Sequence, residues 1–274
     1  MKLKNDMKIR QMYAAFALLA MSLAGCSQEA DVAPKEQELH ISARETELGG
    51  GAAEAFTRDF TLELWNTTDA TKHETHRMRY DGTAWNTIKT PILPASALAY
   101  RGNTVTVTSP GQYSVALTAD QRQADAYQAS DVMIATGTVD ENGTLSLHFG
   151  HHYAKVTFHV TLADEFNGSA HINNFYVVTK DTNVPEVIAH HSLTDAYSAY
   201  IPAGTYPAES TFVKIAIGEY VGDNRLTSDM KENITLRAGT PYEFHIRIGK
   251  EKVELTLDRD HHPFGGGWDD TELN

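Results

Sequence analysis

Thirteen histidines, one cysteine and thirty-six carboxylates are the side chains here with the chemistry to bind a metal or attack a substrate. Their spacing argues against both. His73-Glu74-Thr75-His76 lacks the H-E-x-x-H order that sets two imidazoles one turn apart on a helix face. His148 and His151 are three apart, which on a strand places them on opposite faces. His190-His191 and His261-His262 are adjacent pairs whose side chains diverge. No metal and no cofactor is expected. There is no G-x-S-x-G, and Gly49–Gly51 lack the Lys-Ser/Thr of a phosphate loop and read as linker. The carboxylates are scattered, and Asp258, Asp260 and the "DDTEL" tail read as a solvated acidic end, not a Ca²⁺ loop. The chain reads as a non-enzyme. Trp65, Trp85 and Trp268 leave one other chemistry, a sugar-stacking platform; Trp65 has the parity opposite to Leu62 and Leu64, which points it outward, whereas Trp85 reads as packed.

The single cysteine stands in "SLAGCSQEA", residues 22–30, and cannot form an internal disulfide. Lys2, Lys4, Lys8 and Arg10 precede an uncharged apolar run from Met12 to Gly25, too short to span a membrane and suited to a signal-peptide core. Leu23-Ala24-Gly25-Cys26 resembles the bacterial lipobox. That implies removal of residues 1–25 and acylation of Cys26, whose several chains anchor a protein where one chain binds only marginally. The alternative is a buried cysteine behind an ordinary cleavage site. Loss of residues 1–25, with four bases and one acid, takes the formal charge from −13 to −16. So acidic a body is not expected to bind nucleic acid or to reach a membrane through a basic patch; the acyl chains must do the attaching.

The rest must be stable without crosslinks. Residues 27–38 are polar and aperiodic and read as a tether. Beyond them short runs alternate apolar with polar: Leu39, Ile41 and Ala43; Phe60, Leu62 and Leu64; Val105 and Val107; Leu145, Leu147 and Phe149; Val156, Phe158, Val160 and Leu162; Val213, Ile215 and Ile217; Tyr242, Phe244, Ile246 and Ile248; Val253, Leu255 and Leu257. This is the pattern of half-buried strands. Residues 119–132 read as a turn or two of helix, or as loop. Asn142-Gly143 marks a hairpin. The expectation is an all-β protein of antiparallel sandwiches, with a junction near Gly150 between domains 39–150 and 151–274.

Around that junction, "LSLHFGHHYAKVTFHVTL" resembles the junction motif of the fimbrillin-like family, components of the type V pili of anaerobic Gram-negative bacteria. The matching positions are Phe149, His151, Tyr153, Ala154, Lys155 and Val156. "RYDGTAWNT", "ASDVMIATGTV", "ITLRAGTPYEFHIRIGKEKVEL" and "GGGWDD" resemble further family pieces in the family's order. The resemblance implies two β-sandwich domains of transthyretin-like topology and export as an outer-membrane, surface-exposed lipoprotein. It also implies that an arginine-specific protease removes an N-terminal segment with the first strand, and that a neighbour's strand fills the vacancy. On this sequence the removable strand is residues 37–43, bearing Leu39, Ile41 and Ala43, with cleavage after Arg44. Arg58 is the alternative site, and Arg44 as an ordinary solvated arginine is the other reading. Residues 251–274 are a candidate donor strand. The implied role is a stalk, tip or anchor subunit of a fimbria, supporting adhesion. The implied partners are other pilus subunits in a homo- or hetero-polymer, membrane lipid through Cys26, and a host or bacterial surface ligand. The second functional reading is a monomeric glycan-binding surface lipoprotein.

Overall fold

The structure, a computed structural model, describes residues 36–46, 49, 52–166, 171–193, 195–218, 225–249 and 253–258. Cys26, the tether before Glu36, His261-His262, Trp268 and the rest of the C-terminal tail lie outside the described residues. Their regular structure is almost wholly β, and most of it falls in two sheet groups.

The first group is one seven-stranded sheet. Its strands are β1 (His40–Glu45), β2 (Glu54–Ala55), β3 (Phe60–Asn66), β4 (His73–Met78), β5 (Ala95–Arg101), β6 (Met133–Val139) and β7 (Thr144–His151), ordered β2-β1-β7-β6-β5-β3-β4. The alternation read in "TLSLHF" is kept, with Leu145, Leu147 and Phe149 buried and the residues between them exposed. Phe60 on β3 and Phe149 on β7 are three strand spacings apart in the ladder, about 14 Å on a flat sheet. Their ring centroids are 5.2 Å apart. The sheet therefore curls, closing its apolar face on itself around Leu62, Leu64, Ala97, Ala99, Met133 and Leu145. The β6–β7 turn is the expected one: Asp140 accepts hydrogen bonds from the Asn142 and Thr144 amides, and Gly143 takes φ +77°.

The second group packs two sheets face to face. One holds β8 (Ala154–Leu162), β11 (His190–Leu193), β12 (Ala196–Ile201), β15 (Pro241–Ile248) and β16 (Val253–Leu257), ordered β11-β12-β8-β15-β16. The other holds β9 (Ile172–Val178), β10 (Glu186–Ile188), β13 (Thr211–Ile217) and β14 (Leu226–Asp229), ordered β10-β9-β13-β14. Phe158 lies between them, 5.0 Å from Phe175 across the core and 5.1 Å from Phe244 within its own sheet. This core also takes in Leu117 and Val132, from the excursion that joins β5 to β6. That excursion contains the helix α1 (Ala124–Ser130). It is tied down by buried Gln121, which donates to the Tyr200 carbonyl at 2.9 Å and accepts from the Tyr200 amide at 2.9 Å.

Candidate functional site

The first strand is seated as a separate piece. β1 runs parallel to β7, pairing His40 with Thr144 through to Glu45 with Phe149, in a sheet whose other pairs are antiparallel. Just before it, Gln37 and Glu38 pair with Thr90 and Lys89, and the Leu39 amide donates to the Ile88 carbonyl. Leu39 and Ala43 are buried in the first core, Ile41 is half-buried beside it, and His40, Ser42 and Arg44 face solvent. The period of two read from the sequence thus sets which side chains this strand puts into the core. On its other side, among the described residues, β1 pairs with β2 at Arg44 and Glu45, opposite Ala55 and Glu54. Along the rest of that side lies a groove of about 890 Å³, lined by Leu39, Ile41, Ala43, Phe56, Tyr80 and Trp85. Phe56 closes its floor: it is 1% exposed and stacked on Phe149 at 4.0 Å, and its amide donates to the Ala43 carbonyl.

The two candidate arginines differ sharply. Arg44 is exposed, but the bond after it lies inside the strand, which runs on to Glu45. Thr46 is held as well, its hydroxyl 2.6 Å from His148 Nε2. Arg58 is half-buried and held by several partners. Its guanidinium contacts the Glu45 carboxylate, donates to Met133 Sδ at 3.1 Å, stands 3.8 Å from Asp131 Oδ2 and lies 5.1 Å over the Phe56 ring. Burial, and then the nearby Arg101 charge, lower its pKa from the ordinary guanidinium value, and Asp131 opposes the shift.

Asp131 is the centre of a second cluster, at the start of the junction. It caps the C-terminal end of α1, where the helix dipole disfavours a carboxylate. The opposing charges are supplied by Arg58 and by Arg101 at 3.9 Å, and His151 Nδ1 lies 2.5 Å from Asp131 Oδ1. Arg101 also donates to the Asp131 carbonyl at 3.2 Å. Of the junction-motif residues, Phe149 packs in the first core and Ala154 in the second, and Lys155 is half-buried. Asp131 was not singled out from the sequence, although it sits within "ASDVMIATGTV".

Two other readings meet the geometry differently. Trp65, whose parity points outward, is 4% exposed. That outer face is covered by its own cross-strand neighbours: His73 stacks on Trp65 at 4.7 Å, and Glu63 takes bonds from Thr75 Oγ1 (2.5 Å), His73 Nε2 (2.7 Å) and Tyr100 Oη (3.2 Å). Trp85 packs against Phe60 at 5.0 Å and Tyr80 at 4.9 Å. Of the candidate donor segment, Val253–Leu257 is the edge strand β16 of its own sheet, with Val253 and Leu255 in the second core; residues 259–274 lie outside the described residues.

A family model described as fimbrillin-like matches residues 60–258. No curated protein matches the chain. Among solved structures, a candidate cell adhesion protein from Bacteroides ovatus ATCC 8483 is similar at 15% identity, with 82% of this chain and 96% of that one covered and a TM-score of 0.53. The tip fimbrial protein Mfa3 from Porphyromonas gingivalis, with a C-terminal truncation, is similar at 9% identity over 82% of this chain and 99% of that one, with a TM-score of 0.42.

Proposed function

The chain belongs to the fimbrillin-like family, and from that premise we propose that it is a structural subunit of a cell-surface fimbria, assembled by β-strand replacement and supporting adhesion. The observation that carries this reading is the seating of the first strand. Residues 37–45 put Leu39 and Ala43 into a core built otherwise from residues 56–149, and they form a parallel strand beside β7. Cleavage after Arg44 and loss of the strand before it exposes a row of unpaired β7 backbone groups and an apolar vacancy together, a combination that strongly favours an incoming strand. Main-chain hydrogen bonds then give affinity, and alternate side chains in the emptied pockets give specificity.

In this reading the chain is exported as an outer-membrane lipoprotein through Cys26, with domains 39–150 and 151–274 of transthyretin-like topology. An arginine-specific protease cuts after Arg44, and the partners are other pilus subunits. The test is to treat the exported protein with such a protease, sequence the new N-terminus and follow size by gel filtration and SDS-resistant laddering. Ladders that form only after cutting support strand replacement. A cut chain that stays monomeric when mixed with uncut and cut copies overturns self-polymerisation.

A further inference from the structure

We infer that Arg58 is a positioning residue that keeps the Arg44–Glu45 bond closed to proteases, and that it is not itself a cleavage site. The inference rests on the reading that the first strand is released. A protease of this kind must draw the arginine side chain into its own acidic pocket and take several flanking residues in extended form, free of other pairing. Arg58 meets neither condition. Its guanidinium is occupied by Glu45, Asp131, Met133 and the Phe56 ring, and two residues further on Phe60 is buried at the start of β3.

The same contacts act on the other candidate. The Arg44 side chain faces solvent, while the residue that follows, Glu45, is held from three directions: by pairing with Phe149, by pairing with Glu54, and by the Arg58 charge. Glu54–Ala55 is a two-residue strand and supplies little by itself. Arg58 is the side chain that joins the end of β1 to Met133 and Asp131, on and just before β6, and the carboxylate–guanidinium contact is charge-assisted and half-shielded. Opening the clasp frees Glu45, and hydrolysis of the amide then leaves Arg44 as a carboxylate and Glu45 as an amine.

The experiment compares the exported protein with Arg58→Lys, Arg58→Ala and Glu45→Gln variants. It reads two things: the rate and position of cutting by an arginine-specific protease, and amide exchange of residues 40–46 with no protease present. Wild type and Arg58→Lys should both yield a new N-terminus at Glu45, at similar rates. Arg58→Ala and Glu45→Gln should speed that cut, and the exchange of residues 40–46, by about tenfold or more, with β8 and β15 unchanged. If Arg58→Ala disturbs β8 or β15, the isosteric Glu45→Gln carries the test. A wild-type N-terminus at Asp59, lost in Arg58→Lys, overturns the inference, as does unchanged exchange and cutting in Glu45→Gln. Laddering is scored separately: a clasp that behaves as expected on a chain that never ladders refutes polymerisation and leaves the clasp standing.

Discussion

His151 Nδ1 lies 2.5 Å from Asp131 Oδ1, with the imidazole only 6% exposed. The two residues belong to different motifs, one closing β7 and the other standing two residues before β6, so this contact joins the chain where the first group of strands hands over to the second. The guanidinium groups nearest Asp131 are those of Arg58 at 3.8 Å and Arg101 at 3.9 Å, both beyond ordinary hydrogen-bond reach of its carboxylate. Replacing His151 with Ala should therefore cost about 2–4 kcal/mol, since it leaves a largely buried carboxylate without its short partner. A denaturation double-mutant cycle with Asp131→Ala should show coupling of about 1–3 kcal/mol. Simple additivity would refute the pairing as an energetic unit.

Gly143 offers a test of how closely the first strand is seated. Its φ is +77°, and a Cβ there would run into the Glu38 carbonyl. Gly143→Ala should carry a backbone penalty of about 1–2 kcal/mol and, in addition, push residues 37–39 away from the β6–β7 turn. In amide exchange, residues 39–41 should lose more protection than Leu145–Phe149. Equal loss in both places would mean that the destabilisation is shared by the whole sheet and is not localised at the first strand.

Glu63 is a buried carboxylate with three donors converging on it. Replacement by Ala leaves those donors unpaired and uncovers Trp65, and should cost about 1–3 kcal/mol. Glu63→Gln keeps an acceptor oxygen and should cost less. Tryptophan fluorescence of Glu63→Ala should shift red in the folded state as Trp65 becomes wetter; an unshifted spectrum would show that the His73 stack alone covers the indole.

The His152 imidazole is held below its ordinary pKa by burial beside Tyr113 and Tyr153. The unfolded chain, with a histidine near pH 6.5, then binds more protons than the folded one below that pH. Stability should fall as the pH drops from about 6.5 toward the lower folded value. His152→Gln removes this contribution, so the loss of Tm between pH 7 and pH 5 should be smaller in the variant. A larger loss in the variant would put the sign of the shift in doubt.

Most of the strand pattern was legible because apolar period two survives wherever one face is buried, as in Thr144–His151 and Pro241–Ile248. What failed to read failed for physical reasons. Trp65 was read by strand parity alone, but its burial comes from His73 on the next strand, a pairing that no local spacing shows. The parallel course of β1 beside β7 depends on partners far apart in the chain, which alternation does not identify. The side-chain contact on Glu45, at the end of β1, comes from Arg58, thirteen residues later. The importance of His151 was accessible from its motif, whereas its partner Asp131 was visible only as part of another motif.

The parallel pairing of His40–Glu45 with residues about a hundred positions later has a consequence for the order in which the molecule is built. Among the described strands of this sheet it is the first to leave the ribosome, yet nothing it pairs with along β7 exists until Thr144–Phe149 has arrived. Pairings across so long a loop form late. The rest of the curled sheet, made of nearer antiparallel neighbours, can assemble while residues 37–45 wait. The first described strand of this sheet to be synthesised is then the last to close the core, and the path by which it enters, from outside onto a finished β7 edge, is open in reverse to any strand that takes its place.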